Sequence, residues 1–213
     1  MKIDFVSDVS CPWCAIGLNA LEQALARVAP EIQATLHFQP FELNPQMGAQ
    51  GQDITEHLAQ KYGIDAAQIA ANTEAIRQRG ASVGFEFGVG KRSRIYNTFD
   101  AHRLLHWAGL QGAEPQRRLK HALLKAYFTD GQNPDDGAVL LAAASAAGLD
   151  ADAAQAVLAS DQHGAEVRQA EAFYQQQGIH SVPAVIINDR HLISGGQPVE
   201  VFEQALRQIA ADV

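Results

Sequence analysis

The sequence predicts an α/β fold in which two small strand-and-helix units, one at each end of the chain, are separated by a long helical insertion. Residues 2–6, 11–28 and 33–41 have the patterns of a strand, a helix and a strand, which together make a βαβ unit with two parallel strands. Residues 53–177 carry helical periodicity almost throughout. A β-branched run returns at residues 184–194 and is followed by one amphipathic helix, which predicts a ββα unit.

The first strand passes directly into the first helix. The apolar run of the strand is closed by the polar residues Ser7 and Asp8. Leu18, Leu21 and Leu25 then recur at helical spacing, so the helix must begin near Cys11. The Cys-x-x-Cys motif therefore lies at the junction between a strand and the N-terminus of a helix.

This junction favours redox chemistry at Cys11 and Cys14. Three residues of helix advance roughly 4.5 Å, within reach of the Cα separation of about 4.4–6.8 Å that a disulfide needs. The helix N-terminus favours the thiolate, which is the form that attacks disulfides. Pro12 suits the first helical turn, where its missing N–H costs nothing, and Trp13 offers an apolar surface beside the sulfurs. We therefore interpret Cys11 as the nucleophile and Cys14 as the resolving thiol.

A zinc site is the alternative interpretation of this motif. Zinc needs further ligands, and the chain has only two cysteines. His102 and His106 lie four residues apart, but no third ligand is evident, so we predict a packing or solvated pair and no metal. The basic stretch at residues 91–94 could hold an anion, although a solvated loop is the simpler interpretation.

Composition excludes several classes of protein. The chain has 213 residues and a formal net charge of −8, which argues against a general binder of nucleic acid or of anionic membranes. No run of 18 apolar residues and no signal-peptide pattern are present, so the sequence predicts a cytoplasmic protein without membrane spans. Two cysteines in one motif also favour catalysis over a structural disulfide framework.

The C-terminal unit supplies two further candidate segments. Pro183 starts the strand at residues 184–187, where it removes one ladder donor and would leave the backbone of Val182 free to pair with an extended substrate. A proline that simply starts a strand is the alternative. Gly195, Gly196 and Gln197 precede the last helix, and helix N-termini bind carboxylates, although a tight turn would also explain them.

The chain resembles the thioredoxin fold in its DsbA-like form, which carries a large all-helical insertion. The resemblance rests on Cys11-Pro12-Trp13-Cys14 after the first strand and on Val182-Pro183 before the third. Residues 5–17, 41–45 and 97–103 are similar to the FrnE-like oxidoreductases within that branch. The resemblance implies a thioredoxin-like domain at residues 1–44 and 179–213, a helical domain at residues 45–178, and a cis proline that faces the cysteines.

The resemblance leaves three functions open. The first is a thiol–disulfide oxidoreductase or protein disulfide isomerase, acting on proteins or small thiols without a resident cofactor. The second is a glutathione-dependent transferase or isomerase, as in the related kappa-class glutathione transferases and hydroxychromene-carboxylate isomerases. In those relatives the region of Gly195–Gln197 holds the glutamyl end of glutathione, while serine usually replaces Cys11. The third is a redox-regulated, chaperone-like binding protein. Monomer and homodimer are both compatible with the sequence.

Overall fold

The computed structural model describes residues 1–212 and contains one four-stranded mixed sheet with the strand order β2-β1-β5-β6. The four strands are β1 (Lys2–Ser7), β2 (Thr35–Pro40), β5 (Ala184–Ile187) and β6 (His191–Ser194). β1 pairs in parallel with β2 and antiparallel with β5, which forms a hairpin with β6. The predicted βαβ and ββα units are confirmed, and together they make the thioredoxin-like half of an α/β fold.

Two helices cover one face of this sheet. α1 (Pro12–Val28) joins β1 to β2, and α9 (Val199–Ala211) follows the hairpin. The buried face of α9 consists of Val199, Phe202, Leu206 and Ile209, all of which belong to the main core cluster. Since these residues recur at helical spacing, burying them fixes the side of α9 that packs on the sheet.

The remaining helices lie between β2 and β5 in the sequence. They are α2 (Ile54–Tyr62), α3 (Ala66–Ser82), α4 (Phe99–Leu110), α5 (Ala113–Leu124), α6 (Gly137–Ala146), α7 (Ala151–Leu158) and α8 (Gly164–Gln176). Residues of α4–α7 form most of a second core cluster, which also includes Val9 from the turn after β1. The main core also takes in Phe85, Tyr127 and Phe128 from the same part of the chain. The division into domains at residues 45 and 178 stays a prediction, and hydrophobic packing joins the two parts.

Three local features depart from the expected pattern. The second strand is shorter than predicted and spans Thr35–Pro40. A two-stranded ladder pairs β3 (Gln52–Asp53) with β4 (Arg94–Ile95), although this part of the chain was expected to be almost wholly helical. The last turn after α5 is a π-helix over Lys125–Thr129. Strands of two residues show no periodicity, so the sequence alone could not reveal them.

The outer edge of β2 is covered by α4 and α5. Phe38 N–H donates to Oε1 of Gln116 on α5 at 2.9 Å, and Gln116 Nε2 donates back to the Phe38 carbonyl at 3.0 Å. The same Nε2 also donates to the Leu105 carbonyl at 3.1 Å. One buried side-chain amide thus pairs with the sheet edge in place of another strand. Within the described residues, no helix is long and apolar enough to cross a membrane.

Candidate active site

The turn between β1 and α1 is built around the buried carboxylate of Asp8. Its Oδ1 accepts a hydrogen bond from Ser10 N–H at 3.0 Å, and its Oδ2 accepts one from Leu43 N–H at 2.7 Å. His102 Nε2 lies 3.6 Å from Oδ1, close enough for an ion pair but too far for a hydrogen bond. Burial favours the neutral acid, but His102 and the two N–H donors outweigh it and lower the pKa of Asp8 to about 2. Asp8 therefore holds the turn as an anion at neutral pH.

The two cysteines occupy unequal positions at the start of α1. Cys11 is the N-cap residue and Pro12 occupies the first helical turn, as the spacing predicts. Both thiols are free, and Cys14 is fully buried whereas Cys11 retains 4% of its exposure. Burial first, and then the neighbouring Cys11, raise the pKa of the Cys14 thiol, while Lys120 opposes the shift. Cys14 is accordingly held as a protonated, inaccessible thiol.

The Val182–Pro183 segment faces Cys11 directly. The Cys11 thiol donates to the Val182 carbonyl at 3.7 Å, a contact between residues 171 positions apart in the chain. The Val182–Pro183 peptide bond is cis, as the resemblance implied. The structure thus brings together the two segments that the sequence singled out at opposite ends of the chain.

The glycine turn before α9 lies against the same region. A Cβ atom on Gly196 would meet the Trp13 carbonyl oxygen at 2.9 Å, and one on Gly17 would meet Pro183 Cγ at 3.1 Å. A side chain at Gly196 would therefore require a backbone shift, and one at Gly17 would require Pro183 to give way slightly. Gln197 turns its Nε2 back to the Ser194 carbonyl at 2.7 Å. Gly196 is therefore part of the wall beside the cysteines, and the Gln197 amide is engaged in its own turn.

Two residues of the inserted segment, Tyr62 at the end of α2 and Arg92 in the loop before β4, are electrostatically coupled to Cys11. Burial, followed by the charge of Cys11, raises the pKa of Tyr62, and burial lowers the pKa of Arg92 against the charges of Tyr127 and Cys11. The Arg92 guanidinium carbon lies 4.9 Å from the ring centre of Phe128, and its Nη1 is buried without a hydrogen-bond partner. The interpretation of this stretch as a solvated loop is therefore wrong for Arg92, because two aromatic rings cover its side chain.

A second basic group, Lys120, is electrostatically coupled to Cys14. Lys120 on α5 is completely buried, and its Nζ has no hydrogen-bond partner. Burial lowers the pKa of Lys120, and the charges of Cys14, Asp8 and Cys11 oppose that shift. His102 is also buried and faces Asp8, so of the two predicted alternatives, a packing or a solvated histidine pair, the solvated one is wrong for His102. Among residues 1–212, no group of three or more His, Cys, Asp or Glu side chains is arranged to hold a metal ion.

Sequence reasoning missed Asp8, Lys120 and Arg92 as parts of this site. In the sequence, Asp8 is indistinguishable from an ordinary polar residue at the end of a strand. Lys120 lies on a helix with a predictable apolar face, but that pattern does not predict a buried lysine on it. A charged residue placed among apolar positions of a helix was the available signal, since such residues are almost never fully buried without a purpose or a partner. No local pattern indicates which residues surround Lys120.

The fold and the site together define a thioredoxin-fold protein with a helical insertion and a Cys-x-x-Cys pair opposite a cis proline. Residues 2–207 match the family of the DSBA-like thioredoxin domain, and the chain belongs to that family.

Similar proteins cover the whole chain. The structure of a probable DsbA oxidoreductase from Streptomyces coelicolor is 33% identical, with a TM-score of 0.93 over 100% of this chain and 91% of its own. An uncharacterized protein of Bacillus subtilis is 28% identical over 97% of this chain and 96% of its own. The fold is also that of the cytosolic disulfide reductase DsbM from Pseudomonas aeruginosa, determined with GSH, at 15% identity and a TM-score of 0.68 over 99% of this chain and 100% of its own.

Proposed function

We propose that this protein is a thiol–disulfide oxidoreductase in which Cys11 is the attacking thiol and Cys14 the resolving thiol. The observation that carries the proposal is the difference between the two cysteines. Cys11 is at the helix start beside the Val182 carbonyl, whereas Cys14 is inaccessible and its pKa is raised. A thiol that must attack a substrate first needs access, and Cys11 has more of it than the fully buried Cys14, whose raised pKa suits the later, resolving step.

In the reducing direction, the Cys11 thiolate attacks one sulfur of a substrate disulfide. A bond forms between Cys11 Sγ and that sulfur, and the other substrate sulfur leaves as a thiolate. Cys14 then loses its proton and attacks Cys11 Sγ, which forms the Cys11–Cys14 disulfide and releases the second substrate thiol. Two electrons pass from the cysteine pair to the substrate, and an external thiol must restore the dithiol. The oxidising direction is the same sequence in reverse, and an isomerase would use Cys11 alone.

Exposed aromatic surface supports a protein or peptide as one class of substrate. Trp13 is 42% exposed beside the sulfurs, and Tyr62, which is coupled electrostatically to Cys11, is 58% exposed. Large apolar side chains exposed at an active site are suited to holding an unfolded chain. We place the protein in the FrnE-like branch and in the cytoplasm as part of the same proposal.

Glutathione is our candidate for the small thiol that restores the dithiol. Two observations support it: a DsbM structure of the same fold was determined with GSH, and the turn at Gly196 lies against Trp13 at the start of α9. A glutathione transferase or isomerase is the less favoured function, because Cys14 would resolve a glutathione adduct into a disulfide.

The test uses one serine variant for each cysteine. We expect Cys11→Ser to lose insulin reduction and Cys14→Ser to accumulate a mixed disulfide through Cys11, because the resolving step is blocked. Mass spectrometry of the trapped adduct identifies the sulfur involved. The double variant Cys11→Ser/Cys14→Ser is the control for adducts formed elsewhere.

The assignment fails if the Cys11→Ser variant still reduces insulin or reactivates scrambled ribonuclease at the wild-type rate. It also fails if the trapped adduct is found on Cys14 in the Cys11→Ser variant at the yield expected for Cys11. A thermal shift with reduced glutathione addresses the co-substrate separately, since a ligand that binds the folded state raises the midpoint by mass action.

A further inference from the structure

Lys120 lies in the interior of the protein without the contacts that usually accompany a buried charge. It is completely buried, and among residues 1–212 its Nζ has no hydrogen-bond partner. The ring centre of Phe38 lies 5.9 Å from Nζ, at the outer limit of a cation–π contact. Burying an amine without a partner costs free energy, so Lys120 lowers the stability of the fold. The reason for its presence must lie elsewhere than in stability.

The face of α5 that carries Lys120 is turned towards the main core. Four residues earlier, Gln116 bonds to the edge of β2. Four residues later, Leu124 belongs to the core cluster that contains Cys11 and Cys14. Residues four apart share one face of a helix, so the side chain of Lys120 enters the core between these two anchors.

Two polar contacts hold α5 against α1, the helix that begins at the cysteines. Arg117 Nε lies 2.6 Å from Glu22 Oε1 on α1, and His121 Nε2 lies 2.9 Å from the same oxygen. Arg117 and His121 flank Lys120 along α5. The position of the lysine relative to α1 is therefore held by contacts in which the cysteines take no part.

The charges of Lys120 and Cys14 act on each other. Burial and Cys11 raise the pKa of the Cys14 thiol, whereas the charge of Lys120 and a hydrogen bond from the Asp8 backbone oppose that shift. Burial lowers the pKa of Lys120, and the charges of Cys14, Asp8 and Cys11 oppose it. In a mixed disulfide, Cys11 carries neither a charge nor a thiol proton. Its effects on Cys14 then end, while that of Lys120 remains.

The resolving step creates a negative charge at Cys14. The Cys14 thiol loses its proton, Cys14 Sγ bonds to Cys11 Sγ, and the substrate sulfur leaves with the electron pair of the broken bond. The proton of Cys14 ends on the departing sulfur, so the step consumes none. A buried thiolate is costly unless an opposite charge lies nearby. We propose that Lys120 is a positioning residue of this step and that its buried ammonium group stabilises the Cys14 thiolate as it forms. The proposal rests on the proposed roles of the two cysteines.

The test follows the reaction of the reduced protein with excess DTNB, an aromatic disulfide, by stopped-flow absorbance. The first phase, whose rate increases with DTNB concentration, reports the attack by Cys11. The second phase, whose rate is independent of DTNB concentration, reports the release of the second thionitrobenzoate by Cys14, and Cys14→Ser should lack it. Lys120→Met removes the buried charge and keeps an unbranched apolar side chain. Lys125→Met, which removes the charge of an exposed lysine, is the matched control.

We expect Lys120→Met to slow the second phase at pH 7 by at least about threefold more than the first. At an effective dielectric constant of about 20, unit charges within about 12 Å of each other change an ionisation constant by at least about tenfold. A less stabilised thiolate is also a stronger nucleophile, with a Brønsted slope of about 0.4–0.5, which reduces a tenfold loss of thiolate to about threefold in rate. The second phase of Lys120→Met should also keep accelerating at pH values where that of the wild type levels off. Lys125→Met should match the wild type in both phases.

Two further measurements separate this role from a structural one. Because Lys120 is buried without a partner, Lys120→Met should raise the urea midpoint of the reduced protein. The second measurement needs no substitution and follows the Cε signal of Lys120 in wild-type protein labelled with ¹³C-lysine. Lys120 should titrate at a lower pH in the disulfide form than in the dithiol form, because the disulfide presents no thiolate to it.

The proposal is overturned if the second phase of Lys120→Met matches the wild type, or if both phases slow by the same factor. Titration of Lys120 at the same pH in both redox forms would also overturn it. A lower urea midpoint with unchanged phases would make Lys120 a structural residue instead. If the protein does not reduce insulin but its second phase depends on Lys120, the proposed function fails and this inference stands. A second phase that persists in Cys14→Ser would refute the assigned roles of the cysteines, and the role of Lys120 with them.

Discussion

Asp8→Asn should destabilise the folded protein in a way that depends on pH. The folded state lowers the pKa of Asp8 from 3.8 to about 2, with burial opposing the shift and His102 and the backbone donors driving it. A carboxylate with a lowered pKa stabilises the fold fully above its unfolded value and loses that contribution as the pH falls towards its folded value. For Asp8 the contribution is about 2 kcal/mol at pH 7 and about 1 kcal/mol at pH 3.

We therefore expect Asp8→Asn to lower the free energy of unfolding by about 2–4 kcal/mol at pH 7, because the amide also turns one donor towards Leu43 N–H. The difference from the wild type should shrink by about 1 kcal/mol at pH 3. Urea denaturation of the fully reduced proteins at both pH values measures it. The exposed Asp152→Asn is the matched control and should show little difference at either pH.

A difference between Asp8→Asn and the wild type that stays constant from pH 7 to pH 3 would falsify the reasoning. It would mean that the effect of the substitution is steric or comes from the neutral amide, and that the ionisation of Asp8 is not coupled to folding.

Three further substitutions test other parts of the site. Trp13→His places a cation beside the sulfurs and should raise the reduction potential of the Cys11–Cys14 pair. Equilibration with glutathione redox buffers measures this potential, and a lower value than in the wild type would contradict the charge argument. Gly196→Ala should lower the free energy of unfolding by about 1–3 kcal/mol, because its Cβ would meet the Trp13 carbonyl oxygen at 2.9 Å. Gly48→Ala, whose Cβ meets nothing within 4 Å, is the control, and equal urea midpoints of the two variants would refute the contact. Gln116→Met leaves the N–H and C=O of Phe38 without their partner and should lower the free energy of unfolding by about 1–3 kcal/mol. Unchanged stability would show that water replaces the amide.

The sequence predicts those parts of the fold that depend on local patterns. The spacing of Leu18, Leu21 and Leu25 after a short apolar run places the start of α1 at Cys11 and Pro12, where the structure has it. The hairpin and the amphipathic α9 follow from alternation and from helical periodicity in the same way. These elements are predictable because each buries a face that its own residues define.

The environment of the cysteines is not predictable by the same means. Lys120, 106 positions from Cys14 in the sequence, acts on its pKa, and Arg92 is covered by Tyr127 and Phe128 from another element. Such contacts arise from how helices pack on the sheet, which no periodicity reports. The Val182–Pro183 segment is the exception, because the family resemblance, and not the local pattern, indicated that it faces the cysteines, and the Val182 carbonyl contacts Cys11.

The Gln116 amide gives the sheet two unlike borders. Through its bonds to Phe38, the amide occupies backbone groups on the β2 side that would otherwise recruit the strand of another molecule. On the β6 side, no further strand of residues 1–212 is paired with His191–Ser194, and Leu192 is 52% exposed. Growth of the sheet by strand addition, whether by aggregation or by a binding partner, is therefore directed to β6. The two edges thus differ because helices α4 and α5, through Gln116, cover the edge of β2, whereas no strand of residues 1–212 covers that of β6.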